Sequence, residues 1–203
     1  MRPLTKICGM TSAADALYCA QAGADALGFI FYEKSPRRIE PSAAAEIIRA
    51  LPPFVTPVGV FVNASRDFIE SVIGETGIRV IQLSGDEEPP DCLGYSVSVV
   101  KVFRTPREIG RVKEFSISAA MIDGTADGTY GGSGVLPDLE MAMQIRRHHP
   151  LIVAGGLNAS NVVGIVKSVR PYAIDVNSGV EQSPGKKDRR KVTALFEKLA
   201  DLD

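Results

Sequence analysis

Eight short apolar runs, each followed by enough chain for a helix, constrain this sequence more than any other feature. They are Leu4 to Cys8, Ala26 to Phe31, Val55 to Val62, Val80 to Leu83, Ser98 to Phe103, Ser118 to Ile122, Leu151 to Ala154 and Ala173 to Val176. Most are continuously hydrophobic, as strands buried on both faces must be. Between them, apolar residues recur three and four apart. Ile47, Ile48 and Leu51 follow Pro41; Phe68, Ile69, Val72 and Ile73 follow Ser65 as a cap; Val162, Val163, Ile165, Val166 and Val169 follow Ser160. Val192, Leu195, Phe196, Leu199 and Leu202 make one stripe on a final helix. Between Glu87 and Ser96, two prolines and a glycine allow only a short helix. The alternation predicts an α/β fold, a single (β/α)8 TIM barrel over residues 1–203, with an open doubly wound sheet as the alternative.

Two runs enter glycine directly, in Leu151 to Asn158 (LIVAGGLN) and Ala173 to Glu181 (AIDVNSGVE). Such turns leave backbone N–H groups uncovered by Cβ beside a helix start, where an anion is stabilised. One strand-helix unit apart, they would be neighbours in a parallel sheet and share one phosphate. The amides around Gly155, Gly156, Ser178 and Gly179 form the candidate cup; ordinary tight βα turns are the alternative.

A barrel's site forms where its strands end, which singles out Cys8, Ser35-Pro36-Arg37, Gln82 and Asp123. A lone cysteine such as Cys8 is otherwise a small buried apolar residue, and Asp123 is otherwise a cap in the polar run towards Gly134. Lys6 lies two residues before Cys8 and shares its side of the strand, roughly 7 Å away. It either supports a Cys8 thiolate or pairs with Asp175, whose position is also inward. His148 and His149 precede the seventh run, at the other end of a barrel, so a histidine-based mechanism is not expected.

With 45% hydrophobic residues, 23% charged residues and a net charge of -1, the chain suits neither a nucleic-acid nor a membrane surface. No apolar run approaches the ~18 residues of a membrane span, and MRPLTKICGMT lacks the apolar stretch of a signal peptide, so a cytoplasmic location is expected. Cys8, Cys19 and Cys92 are odd in number and widely spaced, predicting free thiols without a disulfide framework or metal site. Asn63-Ala64-Ser65 and Asn158-Ala159-Ser160 read as strand-to-helix turns with serine at the cap. Oligomeric state does not follow, because an apolar patch on a barrel end has the same pattern as core.

Several motifs occur in order: Lys6-Ile7-Cys8-Gly9, Gly23-Ala24-Asp25 with Gly28-Phe29-Ile30-Phe31, Ser35-Pro36-Arg37, Gly59-Val60-Phe61, Gln82-Leu83, Asp123 with Gly131-Gly132-Ser133-Gly134, Ala154-Gly155-Gly156-Leu157-Asn158, and Ser178-Gly179-Val180-Glu181. Together they resemble the phosphoribosylanthranilate isomerase family of tryptophan biosynthesis over nearly the whole chain. The resemblance implies a small phosphorylated substrate and an Amadori rearrangement by one acid and one base, without a metal or redox cofactor. It makes Cys8 the general base and Asp123 the general acid. Arg37 would take the anthranilate carboxylate through parallel hydrogen bonds, while Arg38 stays solvated. Gln82 and Asp175 complete the residues expected to touch substrate.

These roles carry physical demands. A thiol is only a few per cent thiolate at neutral pH, so Cys8 needs nearby positive charge, whereas Asp123 must hold a proton that a solvated aspartate loses near pH ~3.9. Burial, or the substrate's own carboxylate, would raise that value. The glycine-rich run after Asp123 reads as a loop that closes over substrate.

Two motifs depart from the family pattern: Ser84 stands where histidine is usual, and Gly134-Val135-Leu136-Pro137-Asp138-Leu139 lacks the usual lysine and aromatic pair. The second change alters the wall expected around the anthranilate ring. Two alternatives are the related histidine-pathway or dual-substrate isomerase, which would need an aspartate at Cys8 and a second cup after the third strand, and a non-catalytic phosphate-ligand-binding barrel.

Overall fold

The computed structural model of the chain describes residues 2–124 and 136–202; the glycine-rich run at 131–134, expected to close over substrate, and residue 135 lie outside the described residues. Eight parallel strands, β1 (Leu4–Ile7), β2 (Ala26–Ile30), β3 (Thr56–Phe61), β4 (Val80–Leu83), β5 (Ser98–Phe103), β6 (Ala119–Asp123), β7 (Leu151–Ala154) and β8 (Ala173–Val176), follow one another around a closed barrel. Closure is made by β1 against β8, with Lys6 in register with Asp175. That pairing excludes the open doubly wound sheet.

Local chemistry explains where the helices begin and end. Helix α1 (Ala13–Ala22) starts under Ser12, whose side chain accepts from Asp15 N, and stops at Gly23 with φ 114°. Helix α2 (Pro41–Arg49) opens with proline, and α3 (Arg66–Thr76) is capped by Ser65. Helix α4 (Pro106–Gly110) is one short turn under a Thr105–Glu108 capping box, α5 (Leu139–Arg146) is capped by Asp138, and α7 (Arg189–Ala200) by Asp188. In α7 the predicted stripe faces inward. Val192, Leu195 and Leu199 are fully buried, a stabilisation of roughly 1.5–3 kcal/mol each relative to exposure.

The unit after β4 holds a 3-10 turn, Pro89–Cys92, the short helix expected there, with its two prolines at the first helical positions, where no intrahelical N–H is needed. Two details differ from expectation. Helix α6 (Val162–Val169) is preceded by Asn161 rather than capped by Ser160, whose N–H and hydroxyl both donate to Asn158 Oδ1. After β8 the chain makes a 3-10 turn, Ser178–Val180, and then a small antiparallel hairpin of β9 (Glu181–Ser183) and β10 (Lys186–Lys187), which no periodicity announced.

Alternation along each strand sorts side chains into two layers. Ile7, Leu27, Phe29, Ile81 and Val153 pack outward under the helices. Val100, Val102, Ala119, Met121, Ile152, Ala154 and Ala173 form a separate apolar cluster with Val80. A third cluster, Cys8, Ile30 and Val60 with Tyr32, lies at the strand ends.

Candidate active site

A cavity of about 310 Å³ lies at the C-terminal rim of the barrel, and every strand supplies it with a residue in or just beyond its last turns. Cys8, Arg37, Gln82, Asp123, Gly155, Gly156, Asp175 and Ser178, all predicted from sequence, line it together. His148 and His149 instead lie beside Pro150 and Tyr172, on the approach to β7. Cys19 and Cys92 are buried free thiols, each pushed up to about 11 by burial, and take no part in the cavity.

Lys6 faces both of the partners considered for it. Its Nζ donates to Asp175 Oδ1 at 2.8 Å with both side chains buried, and it also acts on the Cys8 thiol. Burial alone would lower the Lys6 pKa, but the Asp175 carboxylate, with a smaller contribution from Cys8, outweighs it and keeps the ammonium protonated. Cys8 behaves otherwise: burial pushes its thiol up, Lys6 pulls it down, Asp175 pushes it up, and burial prevails. At neutral pH the sulfur therefore carries its proton. The steric fit is close. A Cβ on Gly28 would stand 2.6 Å from Cys8 Sγ, so the neighbouring strand must offer glycine there.

Asp123 ends β6, and its carboxyl is pushed up to about 6. Burial is the main cause; Asp175 adds to it, while Arg104 and Lys6 oppose it. The shift has the sign that an acid requires. Arg104, which sequence reasoning passed over, follows β5, lines the same cavity and donates from Nη2 to the Ser84 carbonyl. Ser84 Oγ accepts from Gln82 Nε2 at 3.0 Å, whereas Gln82 Oε1 is buried with no hydrogen-bond partner among the described residues.

Arg37 lines the cavity but is not wholly available to a ligand. Its Nε lies 3.0 and 3.1 Å from the two Glu181 carboxylate oxygens, and its Nη2 donates to Oε2 at 2.8 Å. The opposite edge of the fork, Nη1 with the second N–H of Nη2, is left outside this pair. Burial would raise the Glu181 pKa, but hydrogen bonds from Arg37 and the charge of Lys187 hold it below the usual carboxylate range. Arg38 is half exposed and pairs with Glu40, as a solvated charge should.

The two glycine turns meet. Gly155 and Gly156 adopt φ 91° and 58°, which favours glycine. Asn161 pins them, with its Nδ2 donating to the Gly156 carbonyl and its Oδ1 accepting from Asn158 N. Gly179 is not among the lining residues; a Cβ there would lie 1.9 Å from the Leu157 carbonyl, so glycine lets the two turns touch. Within the stretch expected to wall an aromatic ring, the described residues do not line the cavity: Leu136 and Leu139 are exposed, and Asp138 is a helix cap. The apolar side of the cavity is Ile30, Tyr32, Val60 and Val62.

A closed parallel barrel with a cysteine, an aspartate and two joined glycine turns on one rim is matched over residues 5–198 by the family model described as N-(5'phosphoribosyl)anthranilate (PRA) isomerase. The chain belongs to this family. It is 47% identical over 189 residues to the N-(5'-phosphoribosyl)anthranilate isomerase of Geobacter sp. (strain M21), covering 92% of this chain and 93% of the relative. It is also similar to the phosphoribosyl anthranilate isomerase crystal structure from Thermus thermophilus (TM-score 0.90, 36% identity, covering 98% of this chain and 100% of that one). A third similar structure is a phosphoribosyl anthranilate isomerase in complex with reduced 1-(o-carboxyphenylamino)-1-deoxyribulose 5-phosphate, with a TM-score of 0.85, 35% identity and coverage of 98% and 99%. Membership sets aside the histidine-pathway alternative, and no helix among the described residues is long and apolar enough to cross a membrane.

Proposed function

We infer that this chain catalyses the Amadori rearrangement of N-(5-phosphoribosyl)anthranilate to 1-(2-carboxyphenylamino)-1-deoxyribulose 5-phosphate in tryptophan biosynthesis. The observation that carries the reading is the placement of Cys8 and Asp123 on the lining of one cavity that also contains the glycine turns. Gly155, Gly156 and Ser178 offer the phosphate their backbone N–H groups, with Gly179 closing the cup from behind. The Nη1 end of Arg37 takes the anthranilate carboxylate, and the aromatic ring lies against Ile30, Tyr32 and Val60. Gln82 Oε1 accepts from a substrate donor, which relieves a buried acceptor that has no partner among the described residues.

Protonated Asp123 gives its proton to the furanose ring oxygen; the C1′–O bond breaks and the amine becomes a cationic Schiff base. Cys8 as thiolate removes the proton from C2′, the electron pair moves to neutralise the iminium nitrogen, and the resulting enolamine tautomerises to the ketone. The pKa of Asp123, about 6, leaves roughly a tenth of the carboxyl protonated at pH 7, far more than a solvated aspartate would keep. The Schiff-base cation adds its charge to that of Lys6 beside the thiol and favours the thiolate at the step that uses it. Asp175 holds Lys6 in place for this. Asp123 supplies the proton for ring opening and Cys8 takes the one from C2′, so the chain's own residues suffice for both transfers.

The reading is tested by following anthranilate-type fluorescence as the purified chain consumes its substrate. The signal should fall with time, and Cys8→Ala should lose at least about a hundredfold in kcat, the range expected for removing a general base. A Cys8→Ala variant that retains most of the turnover would sink the assignment. A cytoplasmic location fits buried cysteines that remain unpaired.

A further inference from the structure

We propose that Glu181 is a positioning residue which fixes the direction of the Arg37 guanidinium and thereby sets how tightly the site holds the carboxylate of its substrate. The inference rests on reading Arg37 as the carboxylate ligand. Glu181 is not among the residues that line the cavity, so it acts on substrate only through a neighbour. It occupies the Nε–Nη2 edge of Arg37 with three contacts between 2.8 and 3.1 Å, a two-oxygen clasp that leaves the guanidinium little rotational freedom. An arginine oriented before the ligand arrives loses less side-chain freedom on binding.

Glu181 is itself held from several sides. Its Oε1 accepts from Gly185 N at 3.1 Å and from Lys187 Nζ at 3.0 Å, and Lys187 donates as well to Asn177 Oδ1 at 3.1 Å. Asn177 lines the cavity immediately before the phosphate-cup residue Ser178. A Cβ on Gly9 would stand 2.9 Å from Asn177 Oδ1 and 3.0 Å from Arg37 Cδ, so the backbone after Cys8 packs against both. One buried carboxylate thus ties the candidate carboxylate ligand to the cup, beside the strand that carries the base. The hairpin of β9 and β10 places the two partners: Glu181 begins one strand and Lys187 ends the other.

Steady-state kinetics of the full chain tests this in a double-mutant cycle of Glu181→Gln and Arg37→Ala, with thermal unfolding of each variant. Glutamine keeps the shape but turns an amide N–H towards cations, so Glu181→Gln should raise KM about tenfold while kcat changes less than about threefold, a change of roughly 1.4 kcal/mol. In the Arg37→Ala background the same substitution should add nothing to KM. Glu181→Asp keeps the charge opposite Lys187 but is too short for the two-oxygen clasp; its KM should fall between wild type and Glu181→Gln, and it carries the test should Glu181→Gln fail to fold. Equal KM effects in both backgrounds, or a loss of kcat at unchanged KM, overturns the proposal. If Arg37→Ala itself leaves KM unchanged, the carboxylate-ligand reading fails and this inference with it; if only the Glu181 variants are silent, this inference alone fails.

Discussion

Asp123 shows how one side chain ties chemistry to stability. Its folded-state value of about 6 lies above the ordinary 3.8, so the folded chain binds the proton more tightly than the unfolded one. The sign follows: stability from this group is greatest below about pH 4 and is lost as pH rises through about 6. Asp123→Asn abolishes that penalty, and urea unfolding at pH 7 should find the variant more stable than wild type by roughly 1–3 kcal/mol, with the gap closing at pH 4. The same group shapes catalysis. In the proposed mechanism, well below pH 6 Asp123 is protonated and the rate follows the growing Cys8 thiolate; well above it, each gain in thiolate is matched by a loss of acid. Log kcat/KM should therefore rise with pH, break near 6 and level off. Arg104 holds the Asp123 pKa down, so Arg104→Gln should move the break to higher pH. A break that stays put would show that another group titrates there.

At the scale of elements, the cup depends on two turns being able to touch. The Gly179 site leaves no room for a methyl group against the Leu157 carbonyl, and that atom is backbone in a turn pinned by Asn161. Gly179→Ala must push the turns apart. Overpacking of this kind costs about 1–3 kcal/mol of stability. The functional consequence is more specific: inorganic phosphate, assayed as a competitive inhibitor, should bind about tenfold more weakly to Gly179→Ala, while kcat changes less. Unchanged inhibition would show that the cup lies elsewhere. Helix α7 offers a contrast, since Leu195 is fully buried and does not line the cavity. Leu195→Ala should cost about 2–5 kcal/mol in urea unfolding and leave KM unaltered at temperatures where the chain stays folded.

The whole barrel is closed across β1 and β8, and at that seam a buried ion pair faces the cavity. Removing one member strands a charge in low dielectric, so Lys6→Met should destabilise the chain by about 3–5 kcal/mol. Lys6→Met combined with Asp175→Leu replaces the pair with apolar groups and should recover most of that loss in urea unfolding. Turnover should not recover, because Cys8 has lost the cation that opposes the effect of burial. Closure thus serves two ends with one contact. A double variant that is both stable and active would separate them.

Most of the scaffold was legible before any coordinates, for a local reason. A strand buried on both faces and a helix buried on one write their periods into neighbouring residues, so β4, β5, β7 and β8 have the limits that the apolar runs imply. Caps such as Ser65 are equally local, but where a second acceptor competes, as Asn158 Oδ1 does for Ser160, residue-by-residue reading points to the wrong cap. The candidate site residues were legible because motif and strand end coincide at Cys8, Gln82, Asp123 and the glycine turns. What tertiary structure alone decided joins residues distant in sequence. Glu181 reaches Arg37, Lys6 meets Asp175, Arg104 tempers Asp123, and Leu157 forbids a side chain at position 179. Burial raised Cys8 despite the lysine two residues away, because desolvation depends on everything packed around an atom, while sequence spacing reports only what is bonded near it.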